Sequence, residues 1–286
     1  EPHYAKGVKN GRITGDVKIG FFNTDVRSED YKDLTGIPRP SHADIGRYFK
    51  DGEIDFTGGG EYSGRVTVAF CAVGAICKSV LEKYYGVKIS AYPSSVGDKF
   101  IKSFNDPEKR GASQAEIDEY VAAVKSDGDS VGGRIECVIK NCPKGLGGSL
   151  FDGLESKISS LCYAVPAVKG VEFGKGFTLC SLRGSEANDE MRYDKENVVF
   201  VTNNDGGIYG GISAGEITFA VAVKPTPSIA KKQNSVNLLT GENAEISVNG
   251  RHDACVALRA APLIEAAAAI AIADEVIYEN DRRIEK

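Results

Sequence analysis

The feature that most constrains the fold is the run from Asp253 to Ile277. It reads as one long helix, and Val256–Ile277 carries alanine at nine positions with few charges. Small side chains let a neighbouring backbone approach closely. The run therefore predicts an interior helix with a face buried against another helix, across a subunit contact. Its apolar centre, Leu263–Ile272, is far shorter than the ~20 residues that span a bilayer, and the other hydrophobic runs read as short, so no membrane segment is expected. The first residues, Glu1-Pro2-His3-Tyr4, lack a basic stretch followed by an apolar one, so no signal peptide is expected.

The rest of the chain alternates irregularly between periods. Residues 12–24 alternate around Val17, Ile19 and Phe21, as a strand does. Residues 27–57 read as irregular and polar. Ser63–Tyr85 has apolar residues at helical spacing (Val66, Ala69, Val73, Ile76, Val80) directly after Gly58-Gly59-Gly60. Strands are predicted at 87–92 and 131–140, and a helix over Gln114–Lys125 opening on the capping box Ser113-Gln-Ala-Glu116. A further helix covers Phe151–Tyr163. Val168–Phe173, Phe177–Leu182, Val198–Thr202 and Ile217–Val223 read as strands. This mixed order predicts an α+β fold rather than a doubly wound parallel sheet. With no repeat or low-complexity linker, residues 1–286 are read as a single domain.

Composition narrows the function classes. A net charge of −5 argues against general nucleic-acid binding, but a local cationic pocket could still take an anionic small molecule. Seven cysteines without a CxxC pair argue against a disulfide framework or a zinc site. They suit small core residues of a reduced, cytoplasmic protein.

Several segments carry chemistry. In RPSHAD (Arg39–Asp44) a histidine beside an arginine is either a proton-exchanging group near a bound anion or a capping and loop residue. GGGEYSGR (Gly58–Arg65) leads glycines into a helix N-terminus, with the Ser63 hydroxyl, Gly64 and the Arg65 charge beside it. That suits an anion, yet the segment is neither a Walker A loop nor a dinucleotide fingerprint. TNNDGGIYGGISAGE (Thr202–Glu216) is either a glycine loop that can lie flat against a planar ring or an elaborate hairpin connection. VKPTPSI (Val223–Ile229) sets Lys224 beside Thr226 and Ser228, an ammonium and two hydroxyls that suit a phosphate, or else it is a proline-bearing edge strand. In GRHDACVALRA (Gly250–Ala260), Arg251 and Asp253 precede the long helix, so Asp253 could be its N-cap.

Taken in order, RPSHAD, GGG-x-x-SGR, DSVGG-x-IE, PAVKGVEFGKGF-x₇-GSEAND, TNN-x-GGI-x-GGIS, KPTPSI and GRHD resemble chorismate synthase from about Gly11 to Asp274. The resemblance implies helices sandwiched between antiparallel sheets and a homotetramer. It implies a carbon–oxygen lyase acting on phosphates, which converts 5-enolpyruvylshikimate 3-phosphate to chorismate by anti 1,4-elimination using reduced FMN. It implies Arg39, Arg65 and Arg251 as substrate ligands and His42 as the proton donor toward reduced flavin. Asp253 would assist removal of the flavin N5 proton. Ser63, Gly64, Gly210 and Gly211 would line the flavin, and Lys224, Thr226 and Ser228 would hold its phosphate. Pro166 and Ala167 would reach a neighbouring subunit's flavin. Some members of the family also reduce their flavin with NADPH.

The chain departs from the family pattern in places. The family's opening FGESHG and RRPG segments have no counterpart, Glu61 stands where many members have arginine, and Ala254 stands where GRHDPC has proline. The alternative expectation is a flavin-binding oligomer impaired in catalysis for want of that opening segment. A more distant one is a flavin oxidoreductase of another family.

Overall fold

The computed structural model describes residues 2–9, 12–22, 35–52, 61–248 and 253–284, with side chains to 280. In chain order the elements are β1 (Tyr4–Lys9), β2 (Arg12–Gly20), α1 (Ala43–Asp51), α2 (Thr67–Tyr85), β3 (Lys88–Val96), β4 (Lys99–Phe100), α3 (Gln114–Ser126) and β5 (Gly133–Lys140). There follow α4 (Leu154–Tyr163), β6 (Val168–Phe173), α5 (Gly184–Ala187), β7 (Met191–Asp194), β8 (Asn197–Phe200), β9 (Ile208–Tyr209), β10 (Ile212–Ser213) and β11 (Ile217–Val223). The chain closes with β12 (Gln233–Asn237), β13 (Glu242–Ile246) and α6 (Ala257–Ile284).

A five-stranded sheet in the order β4-β3-β5-β11-β6, antiparallel at every pairing, forms the centre. Its middle strands β5 and β11 are buried over most of their length. Successive strand residues point to opposite faces. A Cβ on Gly133 would meet Ala257 of α6, so the face of Gly133, Ile135 and Cys137 is the one that α6 covers. On the other face the buried Glu136 accepts hydrogen bonds from Ser103 Oγ, the Phe104 N–H and Tyr92 Oη, and pairs with Arg134.

α6 is the interior helix that the alanine run predicts, and α2 of the same chain packs against it. Ala267, Ala268, Ala269 and Ile272 are fully buried. The closest approach is at Gly74, where a Cβ would stand 2.2 Å from Ala266 Cβ. Glu265 clamps the layer, accepting from Lys78 Nζ of α2 at 2.5 Å and from the Ala91 N–H of β3 at 2.8 Å. Gly74 meets Ala266 and Tyr85 meets Asn280, so contacts advance along both helices in the same direction. α2 and α6 are therefore parallel, and their N-termini lie at one end of the molecule.

Burial of α6 leaves α2 as the outer helix. Gly64–Tyr85 spans 22 residues, within which an 18-residue stretch has mean hydropathy 1.5, long and apolar enough to cross a membrane by length and composition, and only 11% of that stretch is buried. This corrects the expectation of short hydrophobic runs: Val68–Cys77 runs without a polar side chain, and Val66, Val68 and Val73 are exposed.

Other departures have local causes. Helix α1 occupies a stretch read as irregular, because its nine residues, though two-sided, make only about two and a half turns among polar neighbours. Strand β1 precedes the first strand expected and pairs with it. Phe177–Leu182 is no strand: Gly176–Ser181 forms a 3₁₀ turn, with Thr178 N–H bonded to Lys175 O and Leu182 N–H to Leu179 O. The long helix starts at Ala257, four residues after Asp253, and runs on to Ile284. The capping box of α3 is present as read, with Ser113 and Glu116 bonding reciprocally.

Candidate active site

Three of the motif segments converge at the end where α2 and α6 begin. Residues 38–42 lead into α1, whose first turn follows His42. Ser41 takes the left-handed conformation (φ 58°), which turns its carbonyl outward to accept from Lys224 Nζ at 2.5 Å. Lys224 follows β11 directly, and its N–H bonds the Ala167 carbonyl at 2.9 Å. Pro166 and Ala167 therefore sit at the same sheet end. Two residues on, Thr226 Oγ1 donates to the Asp253 carbonyl at 3.0 Å, which ties the KPTPS segment to the approach of α6.

The loop is braced from outside. Ser235 of β12 donates to the Pro38 carbonyl at 2.5 Å, the Leu238 N–H bonds the Gly36 carbonyl, and Ile37 packs on buried Ile246 and Val248. Below, Ser130 Oγ donates to the Thr226 carbonyl at 2.7 Å and the Val131 N–H to the Ala254 carbonyl at 2.8 Å. Gly132 must be glycine here, since a Cβ would stand 2.5 Å from the Val223 carbonyl oxygen. The DSVGG segment thus supports the site from beneath.

Within the cluster the guanidinium of Arg39 is largely committed. Its Nε and Nη2 donate to Asp44 at 2.8 and 2.9 Å, and Nη1 to Ser228 Oγ at 3.4 Å. Ser228 is buried, and its hydroxyl accepts from Arg39. Arg39, expected to hold substrate, has much of its charge neutralised by Asp44. Burial raises the Asp44 pKa, but the hydrogen bonds and charges of His42 and Arg39 outweigh it and hold the carboxyl well below the usual range. His42 stands at the N-cap position of α1 without a side-chain cap bond, so its ring is not a capping group. Asp253 does not cap α6 either. Its Oδ1 accepts from the Cys255 N–H at 3.3 Å, closing a turn before the helix, and Oδ2 pairs with Arg259 at 3.3 Å.

Ser63, Gly64 and Arg65 sit at the start of α2. Ser63 Oγ accepts the Arg65 N–H at 3.3 Å, and Gly64 has open space beside it. The parallel packing of α2 and α6 brings this turn to the same end as Asp253. Arg251 and Gly58–Gly60 lie outside the described residues.

Gly210 and Gly211 are elsewhere. Both have positive φ (61° and 89°) in the two-residue turn joining β9 to β10, the geometry a type I′ hairpin needs. The hairpin packs on Gly147, Gly148 and Gly153, and the Gly147 N–H is bound by buried Glu275, which also pairs with Lys157. Glu275 is some five turns along α6 from its start at Ala257, about 27 Å at 1.5 Å per residue. Within one chain the glycine hairpin and Lys224 occupy opposite ends.

Two carboxylates escaped the sequence reading. Asp44 is the last letter of RPSHAD, two residues from His42. Asp189 ends GSEAND. It accepts from Thr202 Oγ1, the Asn204 and Asp205 N–H groups and Tyr209 Oη, and so shapes the 202–209 loop. Burial opposes its charge, and those bonds more than compensate.

Fold and site together define an α+β enzyme with a histidine among cationic and acidic groups at the start of three helices. The chain belongs to the chorismate synthase family, whose profile matches residues 1–277. It is 38% identical over 306 residues to a chorismate synthase of Methanococcus maripaludis (strain DSM 14266 / S2), covering 97% of this chain and 82% of that protein. It is 40% identical over 286 residues to the chorismate synthase of Korarchaeum cryptofilum, covering 95% and 79%. A crystal structure of chorismate synthase superimposes with a TM-score of 0.67 at 27% identity, covering 83% of this chain and 70% of the other.

Proposed function

We propose that this chain catalyses the anti 1,4-elimination of phosphate from 5-enolpyruvylshikimate 3-phosphate to give chorismate, as a carbon–oxygen lyase dependent on reduced FMN. The observation that carries the reading is the convergence of His42, Lys224 and Asp253 through the Ser41 and Asp253 carbonyls, in a chain of this family. Reduced FMN, when bound, supplies electron density to the allylic system with no net redox change. The donor set fits its phosphate: an ammonium has three donors, of which the Ser41 bond uses one. Lys224 holds that phosphate with the Thr226 region, and Ser228 contributes by holding Arg39.

The chain's own residues then manage anions and protons. Arg65 and Arg251 bind the substrate with what remains of the Arg39 charge. The helix N-termini add partial positive charge toward the departing phosphate. His42 gives a proton and Asp253 takes one. The test is phosphate release with pre-reduced FMN, on this chain and on the chain with an FGESHG segment ahead of Glu1. Turnover of NADPH with FMN and no phosphate release in either protein would sink the lyase reading.

Lys224→Ala weakens FMN binding by about 1–3 kcal/mol, the scale of a lost charge-assisted hydrogen bond. Flavin fluorescence quenching measures it, and unchanged affinity removes Lys224 from the phosphate site.

We place the protein in the cytoplasm as a homotetramer, with the exposed apolar face of α2 covered by other copies of the chain. The separation of Gly210 and Gly211 from Lys224 supports this assembly, since the hairpin would reach a flavin of another copy. Sedimentation at micromolar concentration reports a tetramer on this view; a stable monomer contradicts it.

A further inference from the structure

Asp44 lies two residues after His42 and is 8% exposed. Its Oδ2 accepts the Arg39 N–H at 3.1 Å and Arg39 Nε at 2.8 Å. Its Oδ1 accepts Arg39 Nη2 at 2.9 Å and stands 2.6 Å from His42 Nδ1. Arg39 Nη2 is also 3.0 Å from that same Nδ1. These contacts admit one proton arrangement. An ionised carboxylate has only acceptors, so an approach of 2.6 Å requires a proton on Nδ1. Nδ1 then has no lone pair for Nη2, whose hydrogen goes to Asp44 Oδ1 instead. The ring nitrogen left to gain or lose a proton is Nε2.

We propose that Asp44 is a positioning residue: it keeps one His42 proton on Nδ1, so that the ring takes its second proton at Nε2 and, as the imidazolium, gives that proton up from Nε2 alone, returning to the Nδ1–H tautomer. The inference rests on the reading of His42 as the proton donor, and it supplies the orienting group that such a histidine needs. Among the described residues, the charged groups facing the ring are Arg39 and Asp44, with Lys224 of the segment after β11 one carbonyl away at Ser41. A residue that only stapled Arg39 to the loop would not need the contact to Nδ1.

The tautomer is directly measurable. The chain has three histidines, His3, His42 and His252, so ring ¹⁵N shifts of ¹⁵N-histidine-labelled protein are few enough to separate, and His42→Gln assigns the pair. Above the imidazole titration the unmodified protein should show a protonated Nδ1 and an unprotonated Nε2 for His42, the reverse of free histidine. Asp44→Asn should invert this. Its amide oxygen stays with the two Arg39 donors on the Oδ2 side, so its NH₂ faces Nδ1 and drives the proton to Nε2. Turnover with pre-reduced FMN should fall by about 10²-fold or more, the worth of a positioned acid, because the NH₂ cannot accept from Nδ1–H and the donating imidazolium loses its partner.

A proton on Nε2 in the unmodified protein overturns the proposal, and that measurement needs no variant to fold. So does an unchanged tautomer in Asp44→Asn. An inverted tautomer with undiminished turnover upholds the role of Asp44 and overturns instead the reading of His42 as the donor.

Discussion

Replacing His42 with alanine is expected to lower turnover by about 10²–10⁴-fold, the usual contribution of a positioned acid or base. Substrate affinity should fall far less. The ring sits at the start of α1 without capping the helix, so its loss leaves the backbone bond from its N–H to the Arg39 carbonyl in place. Arg39 also keeps its bonds to Asp44 and Ser228. The anion-binding groups therefore stay where they are while the exchangeable proton is gone. Single-turnover kinetics with pre-reduced FMN separates the two effects. Equal losses of binding and turnover would make His42 a binding residue.

Asp253→Asn is the second large effect, with turnover again falling by about 10²–10⁴-fold if the carboxylate takes a proton. The structure makes this variant clean. Asp253 does not cap α6; its Oδ1 accepts one N–H, that of Cys255, and an asparagine oxygen accepts it equally. Thr226 bonds the Asp253 backbone carbonyl, which the substitution leaves alone. The loss is confined to charge, including the contact with Arg259, whose side chain is 83% exposed and so adds little stability. Asp253→Ala removes the turn acceptor as well, and a thermal melt should show it somewhat less stable than Asp253→Asn. Parent-rate turnover by Asp253→Asn would leave Asp253 a turn-forming residue.

The elements that were legible in the sequence are those whose own residues dictate them. Ser113 and Glu116 announce α3 because both partners of a capping box lie within one turn. Ile217–Val223 reads as a strand because a central strand is apolar on both faces. Helix α1 was hidden, since its nine residues make only about two and a half turns, and the Phe177–Leu182 stretch misled, since strand-like composition yields to the i→i+3 bonds after Gly174 and Gly176. The motif residues were likewise found by local pattern, but their uses were not. Ser228, read as a phosphate ligand, accepts from Arg39; Asp44 carries no distinctive local signal and sets the environment of His42.

By itself, then, the sequence determined the α+β class, most helices and strands, the family, and which segments carry chemistry, because each is written in short-range spacing. Tertiary structure alone decided what meets what. It paired the alanine helix with α2 of the same chain through Gly74 and Ala266, and so turned an apolar helix outward. It gathered Arg39, His42, Lys224 and Asp253 from separations of up to some two hundred residues, and set Gly210 and Gly211 at the far end of α6. Such pairings depend on which small residues allow close approach and which buried polar groups find partners, and those conditions exist only once the chain has closed around its sheet.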